Sequence, residues 1–96
     1  MFVIASTYQK PLEEVDKHLS AHVEFLKTQY AKGVFLASGR KNPRNGGVIL
    51  ALASSREAIE TIIAQDPFHI HGVAQYDITE FTPSMTSLEL AFLANR

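Results

Sequence analysis

The chain has 96 residues, 46% hydrophobic and 20% charged, with no cysteine and a formal charge of -1 from nine Lys and Arg against ten Asp and Glu. That length suits one domain able to bury about two-thirds of the surface its unfolded chain exposes, and excludes a second. The balanced charge and the longest apolar run, Val48 to Ala53, far below the roughly 20 residues that cross a bilayer, argue against nucleic acid and membrane as partners.

Phe2 to Tyr8 is an apolar and β-branched run that predicts a first strand. It ends at Gln9-Lys10-Pro11, where proline's fixed φ and missing donor stop a strand and suit a helix start. From Leu12 to Lys32 the residues Leu12, Val15, Leu19, Val23, Leu26 and Tyr30 recur every three or four positions, the period of one inward helical face. Glu13, Glu14 and Asp16 early and Lys27 and Lys32 late complement the helix dipole, and Gly33 suits a left-handed closing residue. Val34 to Gly39 and Gly47 to Ala53 read as the second and third strands, joined by the turn formers Arg40-Lys41-Asn42-Pro43-Arg44-Asn45-Gly46. Ser54, three residues before Glu57, has capping-box spacing for a second helix with the stripe Ala58, Ile59, Ile62 and Ile63. Asp66-Pro67 ends that helix, because the residue before proline leaves the helical region. Ala74, Tyr76 and Ile78 then alternate with Gln75, Asp77 and Thr79 as a fourth strand starting at Val73, with Phe81 out of phase. After Pro83, the residues Met85, Leu88, Ala91, Phe92 and Leu93 suit a short amphipathic helix. The single domain 1–96 is thus read as a core, 1–83, and a tail, 84–96.

Strand, helix, strand, strand, helix, strand is the split βαβ order of a ferredoxin-like α+β domain, with two helices on one face of an antiparallel sheet. Val34 to Ala37 and Val48 to Ala53 are apolar at odd and even positions alike, which a one-sided sheet does not need. An exposed apolar face of several hundred Å² is more than a soluble monomer usually carries. A homodimer packed sheet against sheet is therefore expected, the tail helix being the alternative cover. No basic segment precedes Met1-Phe2-Val3-Ile4-Ala5, so a cytoplasmic location is expected.

Without cysteine, the chemistry falls to His, Asp, Glu, Ser and Tyr. His22 lies on the edge of the first helix's stripe, where its ring reaches the sheet and still meets a cleft. It is either a packed histidine with one hydrogen bond or a base. His18, a turn earlier, is expected to face solvent together with Phe25. Asp66, at the end of the second helix, opposes the dipole there. It is either a turn former before proline or the acid that orients His22 as a general base, a role worth typically ~10²- to 10⁴-fold in rate. The pairs His18/His22 and His69/His71, with Asp66, also match divalent-metal spacings, although no metal is assigned. Arg40, Lys41 and Arg44 crowd the hairpin tip and suit an anionic substrate group or plain solvation. Ser38 has no base beside it in sequence. Asn45-Gly46-Gly47 is turn chemistry and no phosphate loop or dinucleotide fingerprint is present, so no cofactor is expected.

Taken together, His22 with Phe25-Leu26, then Gly33-Val34-Phe35-Leu36-Ala37-Ser38-Gly39, Gly46-Gly47-Val48-Ile49, Asp66-Pro67-Phe68 and Tyr76-Asp77-Ile78-Thr79-Glu80-Phe81 resemble the YCII-related family of small bacterial proteins. The similarity runs from Val3 to Pro83. It implies a ferredoxin-like dimeric α+β barrel and an active site at His22 and Asp66. Ser38, Arg40 and Phe68 are this chain's candidate substrate contacts. Relatives of that fold include muconolactone isomerases, and family members are linked to dehydrohalogenation of hydroxyquinone-type aromatics. Relatives often carry proline after the Ser-Gly of the second strand, where this chain has Arg40, a departure that bears on substrate charge. The expected function is a lyase, isomerase or dehydrohalogenase in which Asp66 orients His22 to move a proton on a small cyclic or carbonyl substrate. The alternative is a non-catalytic dimeric barrel that binds a small ligand or partner and keeps the pair as a structural hydrogen bond.

Overall fold

The computed structural model describes residues 1–96. The elements are β1 (Phe2–Tyr8), α1 (Leu12–Lys17), α2 (Leu19–Ala31), β2 (Phe35–Arg40), β3 (Gly47–Ala51), α3 (Arg56–Ile63), α4 (Pro67–Ile70) and β4 (Ala74–Glu80), followed by 3-10 turns over Leu88–Leu93. The strands form one sheet, all pairs antiparallel, in the order β2-β3-β1-β4. This is the ferredoxin-like α+β fold that the sequence predicts. No helix is long and apolar enough to cross a membrane.

Alternation decides which side of the sheet is packed. In β1 the residues Phe2, Ile4 and Ser6 are buried, and pairing carries that face across the sheet: Ile4 lies opposite Ile49 and Ile78, and Ser6 opposite Tyr76. Phe25, Ile59 and Ile63 from the helices complete the main core on this side. A second cluster of Val15, Phe68, Val73 and Ala74 seats α1 and α4, and Tyr76 packs against both clusters. The other face presents Val3, Ala5, Val48 and Leu50, half-buried, beside the exposed Gln75, Asp77 and Thr79 of β4.

β2 contains a register break. Phe35 pairs with Ala51, yet Ala37 pairs with Leu50, which leaves Leu36 as an extra residue. One extra residue in a period-two strand exchanges its faces. Ser38 and Arg40 therefore lie opposite Ile49 and Gly47, on the helix side, while Ala37 and Gly39 turn to the open side.

The single helix expected from Leu12 to Lys32 is two helices. His18, with φ of -107° and ψ of 2°, ends α1 and begins α2. Its N–H donates to Val15 O at 3.1 Å, and its own carbonyl accepts from His22 N–H at 3.0 Å. A non-helical residue rotates the second helix relative to the first, so one stripe cannot run through both. The buried residues of α2 are Phe25 and Gln29, whereas Val23 and Tyr30 of the expected stripe are exposed. Phe25 is thus in the core and not toward solvent, and His18 is half-buried, its ring stacked on His71 at 4.1 Å. Gly33 closes α2 at φ 74° as expected, with its N–H and that of Val34 donating to Tyr30 O and Gln29 O.

Two further expectations are corrected. Ser55, not Ser54, caps α3, its hydroxyl accepting from Ala58 N–H at 3.1 Å. The tail forms 3-10 turns bent at Leu90, with Leu93 alone buried, in place of an amphipathic helix. Its end is tied back by the Met1 amino group, which donates to Arg96 O at 2.8 Å.

Candidate active site

Because α3 ends at Ile63, Asp66 does not oppose a helix C-terminus. It is the N-cap of α4. Pro67 forces it into an extended conformation (φ -68°, ψ 126°) and occupies the first helical position, where no N–H is needed. Its Oδ1 accepts from Phe68 N–H at 2.9 Å, so the carboxylate complements the end of α4, the reverse of the expected mismatch.

Asp66 is fully buried, and an unpaired carboxylate there would cost several kcal/mol. Three donors prevent this. Oδ1 takes His22 Nδ1 at 2.8 Å as well as Phe68 N–H, and Oδ2 takes the Tyr76 hydroxyl. Burial, and then the negative charge of Asp66, push the Tyr76 hydroxyl far above its ordinary pKa, so it remains a donor.

A carboxylate only accepts, so the proton of this bond sits on Nδ1, which leaves Nε2 as the ring nitrogen that Asp66 does not engage. The ring lies flat on Phe68, with centroids 3.9 Å apart and planes 3° from parallel. The His22 side chain is 15% exposed, and that exposure opens into a cavity of about 220 Å³ between α2 and the sheet. Tyr8, Phe68 and Tyr76 form its aromatic walls, Leu19, Val23 and Leu26 its helical side, and Ser38 and Arg40 its β2 edge.

Three glycines, Gly39, Gly46 and Gly47, are among the sheet residues that line this cavity. A Cβ on Gly46 would stand 1.8 Å from the carbonyl oxygen of Ser6, so no side chain fits where the hairpin crosses β1. Gly47 N–H donates to Ser6 Oγ at 2.8 Å and fastens the two strands.

The five residues read from the sequence as catalytic or substrate-contacting fall in one region. His22 and Asp66 are bonded, Phe68 stacks on His22, and Ser38 and Arg40 line the cavity, with the Ser38 hydroxyl 2.6 Å from that of Tyr30. The hairpin cations separate: Arg44 Nη2 donates to Asp16 Oδ1 at 2.6 Å, while Arg40 stays unpaired at the cavity. His18 and His71 stack on each other, but no group of three or more His, Cys, Asp or Glu is placed to hold a metal ion. Sequence reasoning missed Tyr76 as the second partner of Asp66. Its place on the inward phase of β4 was the available signal.

The fold and the site define a small ferredoxin-like α+β domain in which a bonded His-Asp pair faces a cavity. The chain belongs to the family of the YCII-related domain, which matches residues 1–82. The solved structure of 5-chloro-2-hydroxyhydroquinone dehydrochlorinase from Burkholderia phenoliruptrix, in complex with 2,5-dihydroxybenzoquinone, has the same fold, with a TM-score of 0.72, 16% sequence identity and coverage of 86% of this chain and 95% of that one. No curated protein matches.

Proposed function

We propose that the chain is a small-molecule enzyme in which Asp66 orients His22, and His22 Nε2 takes a proton from a small cyclic or carbonyl substrate, returning it at another carbon in an isomerisation or passing it to solvent in an elimination, as the leaving group departs with its bonding electrons. The reaction class is elimination or isomerisation. One observation carries this reading: the His22–Asp66 pair, bonded at 2.8 Å, meets an accessible apolar cavity and is not sealed in the core. A sealed pair would favour the non-catalytic binding barrel. Phe68, Ser38 and Arg40 are the substrate contacts. The similar fold of a dehydrochlorinase that acts on a hydroxyhydroquinone supports proton chemistry on a single ring. The apolar middle of the open sheet face, Val3, Ala5, Val48 and Leu50, supports a homodimer packed sheet against sheet, and the enzyme is proposed to work in the cytoplasm.

The test is proton exchange. Hydroxyquinones, lactones and cyclic ketones are incubated with the protein in deuterated water, and deuterium at the activated carbon is read by NMR. The wild type is expected to catalyse exchange on at least one of these classes, and His22→Gln to lose about 10²-fold or more of that rate. Ligand binding without exchange by the wild type refutes the catalytic reading in favour of the binding barrel.

A further inference from the structure

Fifteen residues line the cavity beside His22, and none of them is an acid. Arg40 is the one permanent cation among them, and its side chain makes no hydrogen bond or ion pair within the chain. The neighbouring cations of the hairpin are engaged elsewhere, Arg44 with Asp16 and Lys41 with Thr7 Oγ1. Arg40 reaches the helix side because of the extra residue at Leu36, and it stands opposite Gly47, which has no side chain to crowd a guanidinium. His22 approaches from α2 on the facing wall. An unneutralised cation against aromatic and aliphatic walls favours an anionic group on an otherwise apolar ligand.

We infer that Arg40 is a carboxylate-binding residue, and that the site takes a single-ring carboxylate whose acid group meets Arg40 while the ring lies between α2 and the sheet. This rests on the reading of the cavity as the substrate site. Size limits the ring: an engineered apolar cavity of roughly 150 Å³ takes a benzene, so about 220 Å³ holds one ring and a substituent. The guanidinium's planar fork matches a carboxylate. A phosphate needs more donors, and the adjacent Gly47 N–H is already given to Ser6 Oγ.

Calorimetric titration with benzoate, benzamide and phenyl phosphate tests the inference on the wild type, Arg40→Gln and His22→Gln. Arg40 is exposed and unbonded, so the Gln variant is expected to melt with the wild type. The wild type is expected to bind benzoate about tenfold tighter than benzamide, the lower end for a charge-assisted bond because Arg40 is exposed. That preference shrinks with added salt, disappears in Arg40→Gln and persists in His22→Gln. Equal binding of benzoate and benzamide, a preference that survives Arg40→Gln, tighter binding of phenyl phosphate than of benzoate, or no binding of any of the three overturns the inference. Proton exchange on neutral rings without a carboxylate preference sinks this inference and leaves the acid–base reading standing. A carboxylate preference without exchange does the reverse.

Discussion

Removing a single oxygen, Tyr76→Phe, isolates the least expected bond of the site. The ring stays, so no cavity opens, and Asp66 keeps its bonds to His22 and Phe68. What is lost is a hydrogen bond to a fully buried carboxylate, and bonds to charged groups are worth about 1.5–3 kcal/mol. A loss near 2 kcal/mol lowers the melting temperature of a domain this size by roughly 8–16 °C. The same bond has a pH signature. Tyr76 in the folded chain is held above its ordinary pKa by burial and by Asp66, whereas in the unfolded chain it titrates near 10. As pH approaches and passes that value the unfolded state releases a proton that the folded state retains, so stability falls as pH rises, by about 1.4 kcal/mol between pH 7 and pH 11. Tyr76→Phe has no such proton. Urea unfolding of both proteins is expected to give a gap of about 2 kcal/mol at pH 7 that narrows to about 0.6 kcal/mol at pH 11. A gap that stays constant or widens refutes the assigned sign, and no gap at neutral pH refutes the bond.

Gly46→Ala sets a Cβ against the Ser6 carbonyl at 1.8 Å; because a main-chain atom cannot rotate away, a loss of about 3 kcal/mol is expected, and a urea midpoint matching the wild type would contradict the close crossing. Ser55→Ala removes the α3 cap and is expected to cost about 1 kcal/mol, or roughly 4–8 °C, while Ser54→Ala melts with the wild type. The reverse ranking in thermal melts would restore the capping-box assignment to Ser54.

Particular residues explain what could be read in advance. Alternation in β4 set Ala74, Tyr76 and Ile78 on one phase because period two survives wherever a strand is regular. Asp66-Pro67 was legible as a boundary because proline dictates the conformation of the residue before it. That Asp66 begins a helix was not, since α4 spans only Pro67–Ile70 and has no period of its own. The His22–Asp66 contact came from the family resemblance and from dipole reasoning whose premise was wrong at that helix end. The bond itself is real, at 2.8 Å.

The break in the expected single helix and the bulge in β2, a strand whose phase the sequence leaves open, lie on walls of the same cavity. The break at His18 turns α2 so that His22 looks toward Asp66 and Phe25 fills the core, where an unbroken stripe would have pressed Val23 inward. The extra residue at Leu36 turns Ser38 and Arg40 to the helix side, where a regular strand would have set Ala37 and Gly39. Neither break leaves a mark in the hydrophobic pattern, because Phe35, Leu36 and Ala37 are all apolar and His18 falls between two residues that suit a helix. A regular helix on a regular strand would have presented aliphatic and glycine surface to each other, with no polar group between. Each break instead brings polar side chains to the cavity, as bulges and helix interruptions at active sites do. The chemistry proposed for this chain thus depends on the places where its periodicity fails.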